Sequence, residues 1–158
     1  MRLVAERITA AGFAPFGDLL VAPPTPGKVA FDDALYNGRP GARPSLALAH
    51  CVPLPALPLK VTKLERHEFS SQSFIRLSGG GKLLVVCPHI EGVGPDLSAL
   101  RAFVTAPAEG ITYRPNIWHH SLTLLDEPGV QCVMMWKDDT TGDEEFVDVP
   151  PFTVELPA

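Results

Sequence analysis

Residues 110–122 read GITYRPNIWHHSL. The β-branched and aromatic residues on either side of Pro115-Asn116 favour extended chain. The proline between them excludes a continuous helix. If 118–125 is one strand, Trp118 and His120 face one way and His119 the other, because side chains alternate across a strand. Outward from this run the same grain continues. Seventeen prolines and thirteen glycines are scattered along the chain and cut it into short pieces, which favours many short strands over long helices. Strands are predicted over 18–21, 45–52, 61–69, 72–77, 82–87, 110–114, 118–125 and 130–136, with an extended segment, or a short turn then a strand, at 98–104 and an edge strand at 146–149. Thr9 caps a helical turn over 10–14, and Asn37-Gly38 marks a tight turn. Strands spaced by about ten residues suggest a sandwich or small barrel. Nothing between them carries the long 3.6-residue period of a parallel α/β fold.

The 158 residues suit one domain, expected to span 1–158. A formal net charge of −5, without a block of either sign, argues against a nucleic-acid partner. The most basic stretch, Lys60 to Arg66, is interrupted by Glu65 and reads as a solvated face. Cys51, Cys87 and Cys132 are too widely spaced for a zinc pattern and odd in number. Cys87 and Cys132 lie in apolar runs and read as buried free thiols, which fits a reducing cytoplasm. The N-terminal MRLVAERITA lacks the apolar core of a signal peptide. No run approaches the roughly 18 apolar residues of a membrane span. A cytoplasmic protein without membrane or nucleic-acid partners is expected.

Two polar strand segments carry the candidate chemistry. In LERHEFSSQSFIRLSG, residues 64–79, Glu65 and His67 share one strand face, and Gln72, Phe74 and Arg76 share another. The second segment is 110–122. Their spacing resembles the two motifs of cupin barrels. Glu65-x-His67, Gln72 and Gly79 stand where those barrels have His-x-His, a carboxylate and a glycine. Pro115, Ile117 and His120 stand at the Pro-x-Gly-x-x-His positions. The expected fold is therefore an all-β, cupin-like antiparallel barrel (a double-stranded β-helix or jelly roll) with a few short helices.

A closer resemblance runs along nearly the whole chain. FAPFGDLL near the start, YNGR at 36–39, LERHEFSSQSFI, PDLSALRAF at 95–103 and YRPNIWHHSL are similar to the ureidoglycolate lyase family of allantoin and purine breakdown. That resemblance implies cleavage of ureidoglycolate to glyoxylate and urea, and a homodimer. This chain departs from the family's pattern at Arg76, at Ser121 and at Trp136-Lys137-Asp138.

Ureidoglycolate is a carbinolamine bearing a carboxylate. Cleaving it requires a base for the hydroxyl proton, a donor for the departing urea nitrogen and a cation for the carboxylate. Histidine suits the base near neutral pH, and arginine's fork suits a carboxylate. The expected base is His120, with His67 as supporting acid or ligand and His119 as its neighbour on the opposite face. Arg76 is the first choice of carboxylate clamp, Lys137 and Arg114 follow, and Trp118 reads as a core or pocket-wall aromatic. Tyr36-Asn37-Gly38 reads as a turn or a lid, and His50 and His89 as structural. Glu65, His67, Gln72 and His120 form the candidate metal set. Glutamine is a poor transition-metal ligand beside a carboxylate, so no tightly bound cofactor is expected; the resemblance implies a weak divalent activator. Two other readings stay open: a cupin enzyme acting on a related carboxylated carbinolamine or keto acid, and a non-catalytic cupin that binds a small acid.

Overall fold

Short strands dominate, as the scattered prolines and glycines require. The computed structural model describes residues 1–157. In chain order the elements are β1 (Arg2–Val4), β2 (Glu6–Arg7), α1 (Ala10–Phe13), β3 (Gly17–Leu20), β4 (Arg43–Cys51), β5 (Leu59–His67), β6 (Gln72–Arg76), β7 (Lys82–Cys87), β8 (His89–Ile90), β9 (Gly94–Pro95), β10 (Arg101–Val104), β11 (Gly110–Tyr113), β12 (Trp118–His119), β13 (Thr123–Leu124), β14 (Gly129–Lys137) and β15 (Glu144–Glu155). One sheet runs β1-β15-β5-β12-β7-β10-β2, with β13 also on β7. The other runs β3-β11-β6-β14-β4, and β8 pairs with β9 alone. All pairings are antiparallel except β1 with β15 and β10 with β2. The architecture is an all-β, cupin-like barrel.

Strand β7 explains how the layers pack. All six of its residues are buried, so it reads as an unbroken apolar run after Lys82. Leu84 and Val86 point between the sheets, beside Phe74, Phe103, Ile111 and Tyr113. Leu83, Val85 and Cys87 point out of the barrel into a second core with Val61, Leu64, Trp118, Phe152 and Val154. A strand covered on both faces needs no polar alternation. The Thr9 side chain caps α1 by accepting from the Gly12 N–H at 3.0 Å. The helix sets Phe13 edge-on to Phe103, with ring centroids 5.5 Å apart. Gly17 begins β3 because a Cβ there would lie 1.8 Å from the Thr112 carbonyl oxygen.

Two predicted strands differ in ways that matter. The run 118–125 is not continuous. His119 pairs with Val86 and Thr123 with Leu83, so four residue steps on this strand face three on its partner. The extra residue, a bulge within 120–122, breaks the alternation expected from 118 onward. The predicted edge strand 146–149 is the middle of the long β15. Pro150 and Pro151 survive in it because they fall in the register shift between Asp148 and Phe152, where no ladder donor is needed. Cys87 is buried as expected, whereas Cys132 is half-buried.

Candidate active site

Strand register builds the polar centre of the barrel. His119 on β12 lies directly opposite Glu65 on β5, so both side chains leave the same face. His67 follows two residues after Glu65 and shares that face. The His119 Nε2 is 3.2 Å from Glu65 Oε1. The His67 and His119 rings are 5.9 Å apart and tilted by 35°. One donor atom from each of the three residues falls within 4.8 Å of the others. The buried Tyr113 ring stacks on His119 at 4.1 Å and 21° and fixes the imidazole plane.

Hydrogen bonding settles which nitrogen of His119 faces inward. Its Nδ1 is 3.0 Å from the Ile117 carbonyl oxygen. A carbonyl only accepts, so Nδ1 carries a proton. Nε2 then faces the Glu65 carboxylate, a favourable contact only if a proton or a metal cation lies between them. Burial pushes the Glu65 carboxyl up. The His119 imidazole beside it outweighs that, with help from His67 and His120, and holds it below its ordinary value. Burial and the neighbouring His119 push His67 down to about 4, against the pull of Asp143 and Glu65, so its imidazole is neutral at neutral pH. Burial raises the Tyr113 phenol, and Glu65 adds to this.

A cavity of about 370 Å³ reaches this centre at His67. His67, Gln72 and Lys137 line it, together with Arg39, Met135, Trp136 and the turn before β15. Arg39 is held by Asp138 at 2.7 Å and Asp143 at 3.4 Å, and it donates to the Trp136 carbonyl at 3.1 Å. Of the residues expected from sequence, His67, Gln72 and Lys137 line one cavity, and Glu65 groups with His67 beside it.

The others fall elsewhere. His119, not His120, completes the group with Glu65 and His67, because the cross-strand register fixes 119 as the inward position. The His120 Nδ1 instead faces Ser121 O at 3.0 Å and Thr123 Oγ1 at 3.2 Å. Trp118 takes the core side of its two readings. It points into the outer core, donates from Nε1 to His89 Nδ1 at 3.1 Å, and lies under the Arg66 guanidinium. Arg114 donates to Ala14 O at 2.6 Å and lines a separate cavity with Tyr36 and Phe69. Arg76 does point inward, paired with Gln131 across β14. It sits four residues beyond Gln72, about 13 Å along a strand, where it donates to Gly79 O and borders a different cavity.

Sequence reasoning missed Arg39 and Asp143. Arg39 was within reach, because it ends the YNGR stretch and the ladder bridge between Asn37 and Ser70 pins that turn beside the site. Asp143 sits in a polar run, DDTTGDEE, with no local mark to separate it from its solvated neighbours.

Comparison with known proteins identifies the family. The ureidoglycolate lyase family model matches residues 1–155. A ureidoglycolate lyase of Mesorhizobium japonicum is 37% identical over 165 aligned residues, 99% of each chain. One from Chelativorans sp. is 33% identical over 99% of this chain and 98% of its own. One from Burkholderia mallei is 35% identical over 79% and 76%. The crystal structure of a dTDP sugar isomerase from Desulfovibrio desulfuricans superposes with a TM-score of 0.51 at 14% identity, over 85% of this chain and 82% of that one, a likeness of fold alone. The chain belongs to the ureidoglycolate lyase family.

Proposed function

We propose that this protein cleaves ureidoglycolate to glyoxylate and urea at the Glu65, His67 and His119 centre. The observation that carries the reading is the 3.2 Å contact between an ionised, half-buried Glu65 and a His119 whose other nitrogen is committed to Ile117 O. In this reading the pair takes the proton of the carbinolamine hydroxyl. The C–O bond becomes the aldehyde of glyoxylate as the C–N bond breaks. The same pair returns the proton to the departing urea nitrogen, so atoms and charge balance. Such acid–base help supplies roughly 10²–10⁴-fold. Lys137 holds the substrate carboxylate at the cavity wall. Arg39 is the less available cation, because two aspartates already share its charge.

The residues also fit a divalent metal. His67 Nδ1 and Nε2, Gln72 Oε1 and His119 Nε2 are buried without a hydrogen-bond partner, and two imidazoles with a carboxylate are a common donor set for such ions. Glu65, His67 and His119 would hold it, and it would supply Lewis-acid polarisation of a substrate oxygen. A homodimer and a cytoplasmic setting belong to the same reading. The edge strand β4, with Leu46 and Leu48 exposed by 73% and 67%, supports pairing with a second copy.

Glyoxylate release from ureidoglycolate by the purified protein, followed with chelator and with added divalent ions, tests the reading. Release in either condition is expected. Saturable binding of small acids without any release would favour a non-catalytic binding protein instead.

A further inference from the structure

Glu65, His67 and His119 can act on one group only if both imidazoles turn a free nitrogen toward it. For His119 the matter is fixed by Ile117 O. His67 is different: its ring is 3% exposed, yet neither nitrogen has a hydrogen-bond partner. A carboxylate oxygen, Asp143 Oδ2, lies 3.8 Å from its Nδ1. Asp143 is itself only 6% exposed and firmly held. Its Oδ1 accepts from the Phe69 N–H at 2.7 Å, and Oδ2 accepts from the Ser70 hydroxyl and faces Arg39 at 3.4 Å. A carboxylate only accepts, and each of its oxygens can take more than one donor.

We propose that Asp143 is a positioning residue that holds His67 as the Nδ1–H tautomer, so that the Nε2 lone pair faces Glu65 and His119. The two histidines then match: each spends Nδ1 on a fixed protein acceptor, Ile117 O or Asp143, and offers Nε2 to the centre. The proposal rests on the assignment of this centre as the reacting site. The gap of 3.8 Å is longer than a hydrogen bond, so the carboxylate acts through its charge, which favours the proton on the nearer ring nitrogen in the unfilled site as well. Arg39 serves the same end from behind. It fixes the carboxylate's orientation and offsets its charge, so Asp143 orders the imidazole without drawing a second proton onto it. Outer partners that orient a working histidine are typically worth roughly 10–100-fold in affinity or activity.

The test reads the tautomer directly. Two-bond proton–nitrogen correlation spectra of ¹⁵N-histidine-labelled protein, free of metal and substrate at neutral pH, assign which His67 nitrogen bears the proton. The wild type is expected to be Nδ1–H, and Asp143→Asn, which keeps an acceptor oxygen, is expected to stay so. Asp143→Ala is expected to move His67 toward Nε2–H, with kcat falling by at least about tenfold and KM little changed. A purely structural Asp143 would leave the tautomer alone. An Nε2–H tautomer in the wild type overturns the proposal without any variant, and so does an unchanged tautomer in folded Asp143→Ala. Because the spectra need no turnover, a failure of ureidoglycolate cleavage and a failure of this proposal are told apart.

Discussion

Acidification should destabilise this protein through one residue in particular, His67. Its folded-state value is pushed to about 4 by burial and the neighbouring His119, against about 6.5 in an unfolded chain. The unfolded state therefore takes up this proton first as the pH falls. The stability tied to the neutral imidazole is complete above roughly pH 6.5 and is lost as the pH drops toward 4. Between pH 7 and pH 4.5 the linkage amounts to about 2 kcal/mol, a large part of the roughly 5–15 kcal/mol that holds a domain folded. The assay is urea unfolding in chelator at several pH values in that window, for the wild type and for His67→Gln, which packs a similar polar side chain without the titration. The wild type should lose about 2 kcal/mol more than the variant over the window. Parallel losses in the two proteins would refute a buried, neutral His67.

Lys137→Ala should raise KM for ureidoglycolate by roughly tenfold, about 1.4 kcal/mol, with a smaller change in kcat; steady-state kinetics with an unchanged KM would remove Lys137 from carboxylate binding. Phe103 is fully buried between the sheets against Phe13 and Phe16, so Phe103→Ala should cost about 3–5 kcal/mol in denaturant unfolding. A loss below about 1 kcal/mol would mean that this aromatic cluster is not the packed core described above.

Much of the barrel was legible because its signals are local. Lys82–Cys87 carries its own bounds, with glycines before it and a proline after. Thr9 announces the first helical turn, and Glu65 and His67 announce a shared face by their spacing alone. The full-length family resemblance was legible from peptide stretches such as YRPNIWHHSL. What sequence could not reveal depends on pairing between distant strands. The choice between His119 and His120 is made by the register of β12 against Glu65 and Val86, and the bulge after His119 spoils alternation as a guide. Arg76 shares a strand face with Gln72, but a face has length, and about 13 Å of strand separates the two. Asp143 reaches His67 from 76 positions away in sequence, through a turn whose composition suggests only solvent.

His119, and not its neighbour His120, is the histidine expected to work. Glyoxylate release from ureidoglycolate should be compared for the wild type, His119→Ala and His120→Ala, each shown to be folded by its unfolding transition. The structure predicts that His119→Ala loses at least about 10²-fold in kcat, while His120→Ala keeps activity within about tenfold of the wild type. Full activity in His119→Ala, with activity lost in His120→Ala, would contradict the Glu65, His67 and His119 centre.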